Sequence, residues 1–249
     1  MGITLQDVHK AFGPKEVLRG FSLEAKDGET LTILGPSGSG KSVMLKHIVG
    51  LLHPDKGEVW VEGLRVDELE DEDLYELRRN IGYVFQFAAL FDSMTIGDNV
   101  AMGLRRMGDM DEGEVKARVE ECLEMVDLPG YEDLLPAQLS GGQKKRAGLA
   151  RAIAARPKYV LYDEPTTGLD PITKAVIDRL ILRTAEELGV TGIVITHDIE
   201  SAFRISDRVA MLHEGRRRAV GTPEEIRETE DPVVRAFIEG RPELMEVGS

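Results

Sequence analysis

The sequence has little cysteine, no long apolar run and a deficit of positive charge, and each shortage removes a class of protein. Cys122 is the single cysteine among 249 residues. One thiol cannot close an internal disulfide, so the chain is not a disulfide-stapled scaffold and fits a reducing compartment. Val119, Leu123 and Val126 recur around it at helical spacing, which predicts a cysteine packed on a helix face. No stretch of about 18 apolar residues occurs, so no membrane-spanning helix is expected. The opening Met1-Gly2-Ile3-Thr4-Leu5-Gln6 has neither a basic n-region nor an apolar h-region, which predicts no signal peptide. Gln6 stands where N-myristoylation of Gly2 wants Ser or Thr. Lys and Arg number 31 against 45 Asp and Glu, a formal charge of −14. That balance argues against bulk binding to nucleic acid or an anionic lipid surface. The densest basic run, Arg216-Arg217-Arg218, follows Glu214-Gly215 and reads as a turn and an edge strand. No repeat or low-complexity segment occurs.

What is present is an ordinary globular composition, 42% hydrophobic and 31% charged, at a length that suits an α/β domain or a core with an inserted subdomain. Short strands fill the first third, at Ile3-Thr4-Leu5, residues 21–25 and Val59-Trp60-Val61, punctuated by Asp27-Gly28 and Asp55-Lys56-Gly57. Leu31-Thr32-Ile33-Leu34 is a buried strand that should feed a helix over about 41–50. Asp71 to Asp73 open a short helix at the end its dipole makes positive. Ile81-Gly82-Tyr83-Val84-Phe85 is another strand. Residues 87–157 turn helical, with Val115, Val119, Leu123 and Val126 on one face. Strands return at 159–162, 192–195 and 208–211, separated by helices as a parallel sheet requires. The expected organisation is an α/β core (1–86 and 158–222), a helical subdomain (87–157) and a helical tail (223–249). The tail carries a capping box at Thr222-Pro223-Glu224-Glu225 and a second cap at Asp231-Pro232.

Gly35-Pro36-Ser37-Gly38-Ser39-Gly40-Lys41-Ser42 fits G-x-x-x-x-G-K-[ST] between a strand and a helix, the context that makes it a phosphate loop. Glycines let backbone N–H groups curl around phosphates without a Cβ in the way, and the helix start adds partial positive charge. Lys41 brings a point charge to the phosphates, and Ser42 brings a hydroxyl for Mg²⁺. Val160-Leu161-Tyr162-Asp163-Glu164 ends a buried strand in two acids that face the ligand crevice of a parallel sheet. Asp163 is the candidate for Mg²⁺, and Glu164 for polarising an attacking water. Leu139-Ser140-Gly141-Gly142-Gln143 makes a helix cap at Ser140. A cap needs no paired glycines, and bare N–H groups at a helix start form a second anion site. That second site points to a γ-phosphate held by another copy of the chain.

Together these motifs resemble, over nearly the full length, the nucleotide-binding subunits of ABC transporters. The resemblance implies a P-loop NTPase: a RecA-like α/β core with an N-terminal antiparallel β subdomain and an inserted α-helical subdomain. It implies ATP and Mg²⁺ as cofactors and hydrolysis of ATP to ADP and phosphate. By the same resemblance Gln86 takes the Q-loop role, touching Mg²⁺ and the nucleophilic water. Gly168-Leu169-Asp170 resembles the D-loop, although Asp170 before Pro171 also reads as a helix cap. His197 resembles the switch histidine. Phe12 with Gly13 resembles the aromatic that stacks on adenine, with ordinary packing as its other reading. The partners implied are a second copy in a sandwich dimer and permease subunits received near Gln86 to Phe91, with no nucleic acid. The run Phe87-Ala88-Ala89-Leu90-Phe91 reads either as that contact surface or as core.

Several flanking words narrow the resemblance. They are Gly40-Lys41-Ser42-Val43-Met44-Leu45-Lys46, Leu74-Tyr75-Glu76-Leu77-Arg78, Ala89-Leu90-Phe91-Asp92-Ser93-Met94 and Gly141-Gly142-Gln143-Lys144-Lys145-Arg146-Ala147-Gly148-Leu149-Ala150-Arg151. With Asp170-Pro171-Ile172-Thr173 and the 231–240 tail, they resemble the ATPases of Mce-type lipid transporters. That subgroup implies phospholipid cargo, an Mce lipid-binding protein, a small regulatory subunit, a peripheral seat on the cytoplasmic side of the inner membrane, and a tail that reaches the other copy. The alternatives are an importer ATPase for a small polar solute such as an amino acid, a soluble non-transport ABC ATPase, and a non-hydrolysing switch, which the presence of Glu164 opposes.

Overall fold

The computed structural model describes residues 2–241. The end of the predicted tail, 242–249, lies outside the described residues, and with it the predicted reach toward another copy. In chain order the elements are β1 (Ile3–Phe12), β2 (Lys15–Ala25), β3 (Thr30–Leu34), α1 (Lys41–Ile48), β4 (Lys56–Val61), β5 (Leu64–Arg65), α2 (Asp71–Arg79), β6 (Ile81–Val84), α3 (Ile96–Met107), α4 (Glu112–Met125), α5 (Gly141–Ile153), β7 (Tyr159–Asp163), α6 (Pro171–Leu188), β8 (Thr191–Thr196), α7 (Ile199–Ile205), β9 (Arg208–His213), β10 (Arg216–Gly221), α8 (Pro223–Arg227) and α9 (Pro232–Glu239). They fall into two compact units: the chain up to Leu74 together with the chain from Thr191 onward, and Tyr75–Val190.

The first unit carries an antiparallel sheet in the order β2-β1-β4-β5 and the strand run β10-β9-β3-β8. β1 runs through polar His9 and Lys10 to Phe12, well past the apolar triplet that announces it. It does so because it pairs with β2 on one side and β4 on the other. β3 lies between two parallel neighbours, β8 and β9. All five of its residues are buried, which is why it reads as a continuous apolar run rather than an alternating one. Arg216 to Arg218 fall on β10, the edge strand expected after Glu214-Gly215. Leu34, Ala202, Val209, Met211, Ile226, Val233 and Val234 form one apolar cluster that seats α7, α8 and α9 on β3 and β9. Thr222 and Asp231 cap α8 and α9 as their sequences announce.

In the second unit β6 and β7 pair in parallel. Val115, Val119, Leu123 and Val126 are buried on the inner face of α4 and its end. Cys122 is buried with them, and burial pushes its thiol up to about 11, so it packs as a small hydrophobe. Arg118, on α4, donates from Nε to the Ala154 carbonyl (2.9 Å) and from Nη2 to the Ile153 carbonyl (2.8 Å). The Ala154 carbonyl lies where the helical partners of α5 run out, and the Ile153 carbonyl also accepts from the Arg156 N–H at 3.0 Å. Among the described residues no helix is long and apolar enough to cross a membrane.

Candidate functional site

In the first unit β3 delivers the chain into the loop 35–40, and α1 begins at Lys41. Two glycines are required by crowding. A Cβ at Gly35 would lie 2.4 Å from the Leu212 carbonyl oxygen, and one at Gly40 would lie 2.9 Å from Val17 Cγ1. Gly40 also sits at φ 107° as the N-cap of α1, a conformation that L side chains rarely adopt. Gly38, at φ 79°, faces open space instead. Ser37 and Gly38 are exposed at the tip, and Pro36 is half-buried. Lys41 is only 5% exposed. Its Nζ donates to the carbonyls of Gly35 (2.7 Å) and Pro36 (3.1 Å), which fixes the ammonium on the loop. Ser39 Oγ is buried with no hydrogen-bond partner. Ser42 follows on the first turn of α1.

Leu34 pairs with Thr196, so β3 and β8 end together, and Gly35 and His197 leave the sheet at the same C-terminal edge. His197 is exposed there, and Asp198 caps α7 by accepting from the Ser201 N–H. Phe12 ends β1 opposite Lys15, across the turn Gly13-Pro14. It is 47% exposed, and Lys10 Nζ sits 5.8 Å from its ring centroid.

In the second unit Val84 pairs with Tyr162, so Gln86 and the pair Asp163-Glu164 leave β6 and β7 at one end. Glu164 is 8% exposed, with its backbone at φ 50°. That is a strained value for a residue other than glycine. Its Oε2 accepts from Thr167 Oγ1 at 3.1 Å. The turn after it is held from α5: Lys145 Nζ donates to the carbonyls of Glu164 (3.3 Å), Pro165 (2.8 Å) and Thr167 (2.8 Å). Burial pulls the Lys145 ammonium down to about 8, opposed by the charge of Glu164. Asp163 Oδ2 accepts from the Tyr83 hydroxyl at 3.2 Å. Burial first, and the Asp163 charge second, push the Tyr83 phenol far up, so it stays an O–H donor.

Gln86 lies in a turn closed by the Ala88 N–H on the Phe85 carbonyl (3.0 Å). Ala88 and Ala89 both have positive φ, at 60° and 50°. Arg151 holds them, donating to the carbonyls of Ala89 (2.6 Å) and Ala88 (2.8 Å). Ala88 is buried against Gly148, where a Cβ would come within 3.2 Å of the Ala88 Cβ. Of the apolar run beyond Gln86, Phe87 is 83% and Phe91 49% exposed. The core reading therefore holds for Ala88 and fails for the two phenylalanines.

Ser140 caps α5 in a full capping box: its Oγ accepts from the Gln143 N–H, and its own N–H donates to Gln143 Oε1 at 2.8 Å. Gln143 Nε2 also donates to the Tyr131 hydroxyl (3.0 Å). Gly141 opens onto free space, whereas a Cβ on Gly142 would lie 2.5 Å from Thr173 Cγ2. The second glycine is thus also a packing requirement, which the sequence reading did not see. Asp170 caps α6, accepting from the N–H groups of Ile172 (3.0 Å) and Thr173 (3.1 Å). The two helix starts border one cavity of about 260 Å³ lined by Ser140, Gly142, Gln143, Ile172 and Thr173.

Tyr83, Lys145 and Arg151 are the residues that sequence reasoning missed here. Tyr83 alone left a trace, a hydroxyl-bearing side chain inside an otherwise apolar strand word.

Residues 18–167 match the family described as ABC transporter. The chain belongs to that family. It is an ATPase that binds ATP, with Mg²⁺ as cofactor. It is 38% identical to the "Probable ribonucleotide transport ATP-binding protein mkl" of Mycobacterium leprae, over 97% of this chain and 70% of that protein. It is 42% identical to the "Sulfate/thiosulfate import ATP-binding protein CysA" of Gloeobacter violaceus, over 91% of this chain and 64% of that one. It is 40% identical to "Protein TRIGALACTOSYLDIACYLGLYCEROL 3, chloroplastic" of Arabidopsis thaliana, over 96% and 73%. The dimeric post-hydrolysis cassette MJ0796, bound to ADP and Pi, superposes with a TM-score of 0.81 at 37% identity, covering 89% of this chain and 98% of that one. The fold is therefore that of a P-loop NTPase cassette, as its motifs imply.

The residues present fit the nucleotide and its metal. The open side of Gly38 and the unpartnered Ser39 hydroxyl sit in the loop beside the Lys41 ammonium. Each unit carries oxygen of the kind Mg²⁺ takes, the Ser42 hydroxyl in the first and the Gln86 amide oxygen and Asp163 carboxylate in the second.

Proposed function

We propose that this chain is the ATPase subunit of a membrane transporter for lipid, above all phospholipid, and works as a sandwich of two copies on the cytoplasmic side of the inner membrane. The reading gives each residue a task. Loop residues Gly35, Pro36, Ser37, Gly38, Ser39 and Gly40 wrap the phosphates, Lys41 neutralises them, and Phe12 stacks on adenine. Ser42, Asp163 and Gln86 would hold Mg²⁺, which would supply positive charge to offset that of the phosphates. Glu164 polarises a water for in-line attack on the γ-phosphorus, the bond to the β-phosphate oxygen breaks, and ADP and phosphate result. His197 steadies the γ-phosphate. Ser140, Gly141, Gly142 and Gln143 of the other copy complete the site with helix-start N–H groups, and Asp170 lies at the crossing between copies.

The observation that carries the membrane-transport reading is the turn after Gln86. Phe87 and Phe91 are exposed on either side of buried Ala88, and Arg151 fixes the backbone between them. An exposed aromatic pair on an immobilised turn suits a partner helix, here a permease segment. The lipid assignment is supported by the flanking sequence words and by the glycolipid in the name of the Arabidopsis relative. It brings with it an Mce lipid-binding protein and a small regulatory subunit. The second reading, a polar-solute importer, is favoured by the names of the Mycobacterium leprae and Gloeobacter violaceus relatives.

Tagged chain recovered from its native membranes decides between the two. The lipid reading expects a permease, an Mce protein and bound phospholipid. Recovery of a solute-binding protein with a polar-solute permease overturns it. For the catalytic roles, Glu164→Gln is expected to bind ATP as the wild type does and to turn it over roughly 10²- to 10⁴-fold more slowly, by phosphate release. Wild-type turnover would remove Glu164 from the mechanism.

A further inference from the structure

Tyr83 meets two features of the second unit at once. Its hydroxyl donates to Asp163 Oδ2 at 3.2 Å, and it lines a cavity of about 260 Å³ shared with Tyr75, Arg78, Met107 and Arg151. The register of the parallel pair accounts for the reach. Tyr83 stands opposite Leu161, and Asp163 is the next residue on the same face of the neighbouring strand. The ring is held as well, packed against Phe85 with centroids 4.3 Å apart. A carboxylate that handles a cation through one oxygen gains orientation when a fixed donor occupies another lone pair. A strand residue needed only for packing would serve as well without its hydroxyl.

We propose that Tyr83 is a positioning residue for Asp163, its hydroxyl fixing the rotamer in which that carboxylate serves Mg²⁺, and that it does so from the wall of the cavity it shares with Arg151. The inference rests on the reading that Asp163 serves the metal. It adds a residue that no phosphate-loop, signature or switch motif contains. Arg151 on the same wall bonds the turn behind Gln86, so one cavity borders supports for two of the three proposed metal-side residues.

Nucleotide binding tests it apart from turnover. ATP affinity of the full chain is measured by calorimetry in EDTA and across a Mg²⁺ titration, for wild type, Tyr83→Phe and Asp163→Asn. Tyr83→Phe keeps the ring and is expected to leave the EDTA affinity unchanged while raising the half-saturating Mg²⁺ about 10-fold. Tyr83→Leu should match or exceed that shift, which ties it to the hydroxyl's removal. An unmoved Mg²⁺ midpoint in Tyr83→Phe, with Asp163→Asn clearly shifted, overturns the positioning role alone. A midpoint unmoved in both overturns it together with the metal reading of Asp163. A fall in EDTA affinity equal to the fall in Mg²⁺ also counts against it, because a general packing defect would produce that.

Discussion

Glu164 is held at φ 50°, in a conformation that costs of order 1–3 kcal/mol and survives only where the surroundings impose it. Lys145 restrains that turn through three carbonyls on residues 164, 165 and 167. Replacing it with Met should therefore lower turnover more than it raises the KM for ATP, because the restraint acts on the attacking step rather than on the phosphates. Titration of Lys145 has two opposite effects. Its usual value is 10.5, and burial brings it to about 8 in the fold. Between those two values the unfolded chain binds a proton that the folded chain has released, so this group's contribution to stability rises with pH across that window. Turnover should move the other way. Above about 8 the neutral amine has two N–H bonds for three carbonyls. A pH–rate profile should show kcat declining through that point, and Lys145→Arg, which stays charged, should lack the decline. The same decline in both proteins would detach it from Lys145.

At the scale of elements, the caps do much of the placing. Asp111, Ser140 and Thr222 each close a capping box, and Asp170 and Asp231 each accept from two helix-start N–H groups. Buried Asn99 does a similar job for the loop ahead of α3. It accepts from the Phe91 N–H (2.7 Å) and donates to the carbonyls of Phe91 (3.1 Å), Met94 (3.2 Å) and Thr95 (2.9 Å). Asn99→Ala leaves the Phe91 N–H and the Met94 carbonyl without that partner and should cost about 2 kcal/mol, since a buried orphan loses its full desolvation energy. That corresponds to roughly 4–8 °C in thermal midpoint for a chain of this size, readable by calorimetry. What could be read from the sequence follows the same divide. The phosphate loop, the Ser140 cap, the Asp231-Pro232 cap and the acids at the end of β7 are contiguous words whose physics is local, so residue type and spacing reveal them. Tyr83 with Asp163, and Lys145 with the Glu164 turn, join elements through register and helix packing, and no periodicity announces them. The crowding at Gly142 is likewise set by α6, and β1 outlasts its apolar triplet because its partners come from elsewhere in the chain. The roles of Phe12, Gln86, Asp170 and His197 came from family resemblance, since an exposed aromatic, a turn glutamine, a cap and a strand-end histidine are each ordinary on their own.

At the scale of the whole molecule, a net charge of −14 opposes the pairing of copies, so the proposed two-copy site needs a ligand to drive it. In that sandwich a nucleotide brings phosphates to the loop of one copy and to the helix start at Ser140 of the other, and Mg²⁺ would offset the charge it adds. Dimerisation is then linked to ATP by mass action and weakens when hydrolysis removes the γ-phosphate. Blocking hydrolysis should trap the pair. Light scattering of Glu164→Gln with saturating ATP and Mg²⁺ is the direct measurement: the mass should double from one chain to two, return to one chain with ADP, and fail to double when Lys41→Ala is added. A mass of one chain under ATP and Mg²⁺, together with wild-type turnover per chain that does not change with protein concentration, would contradict the two-copy site.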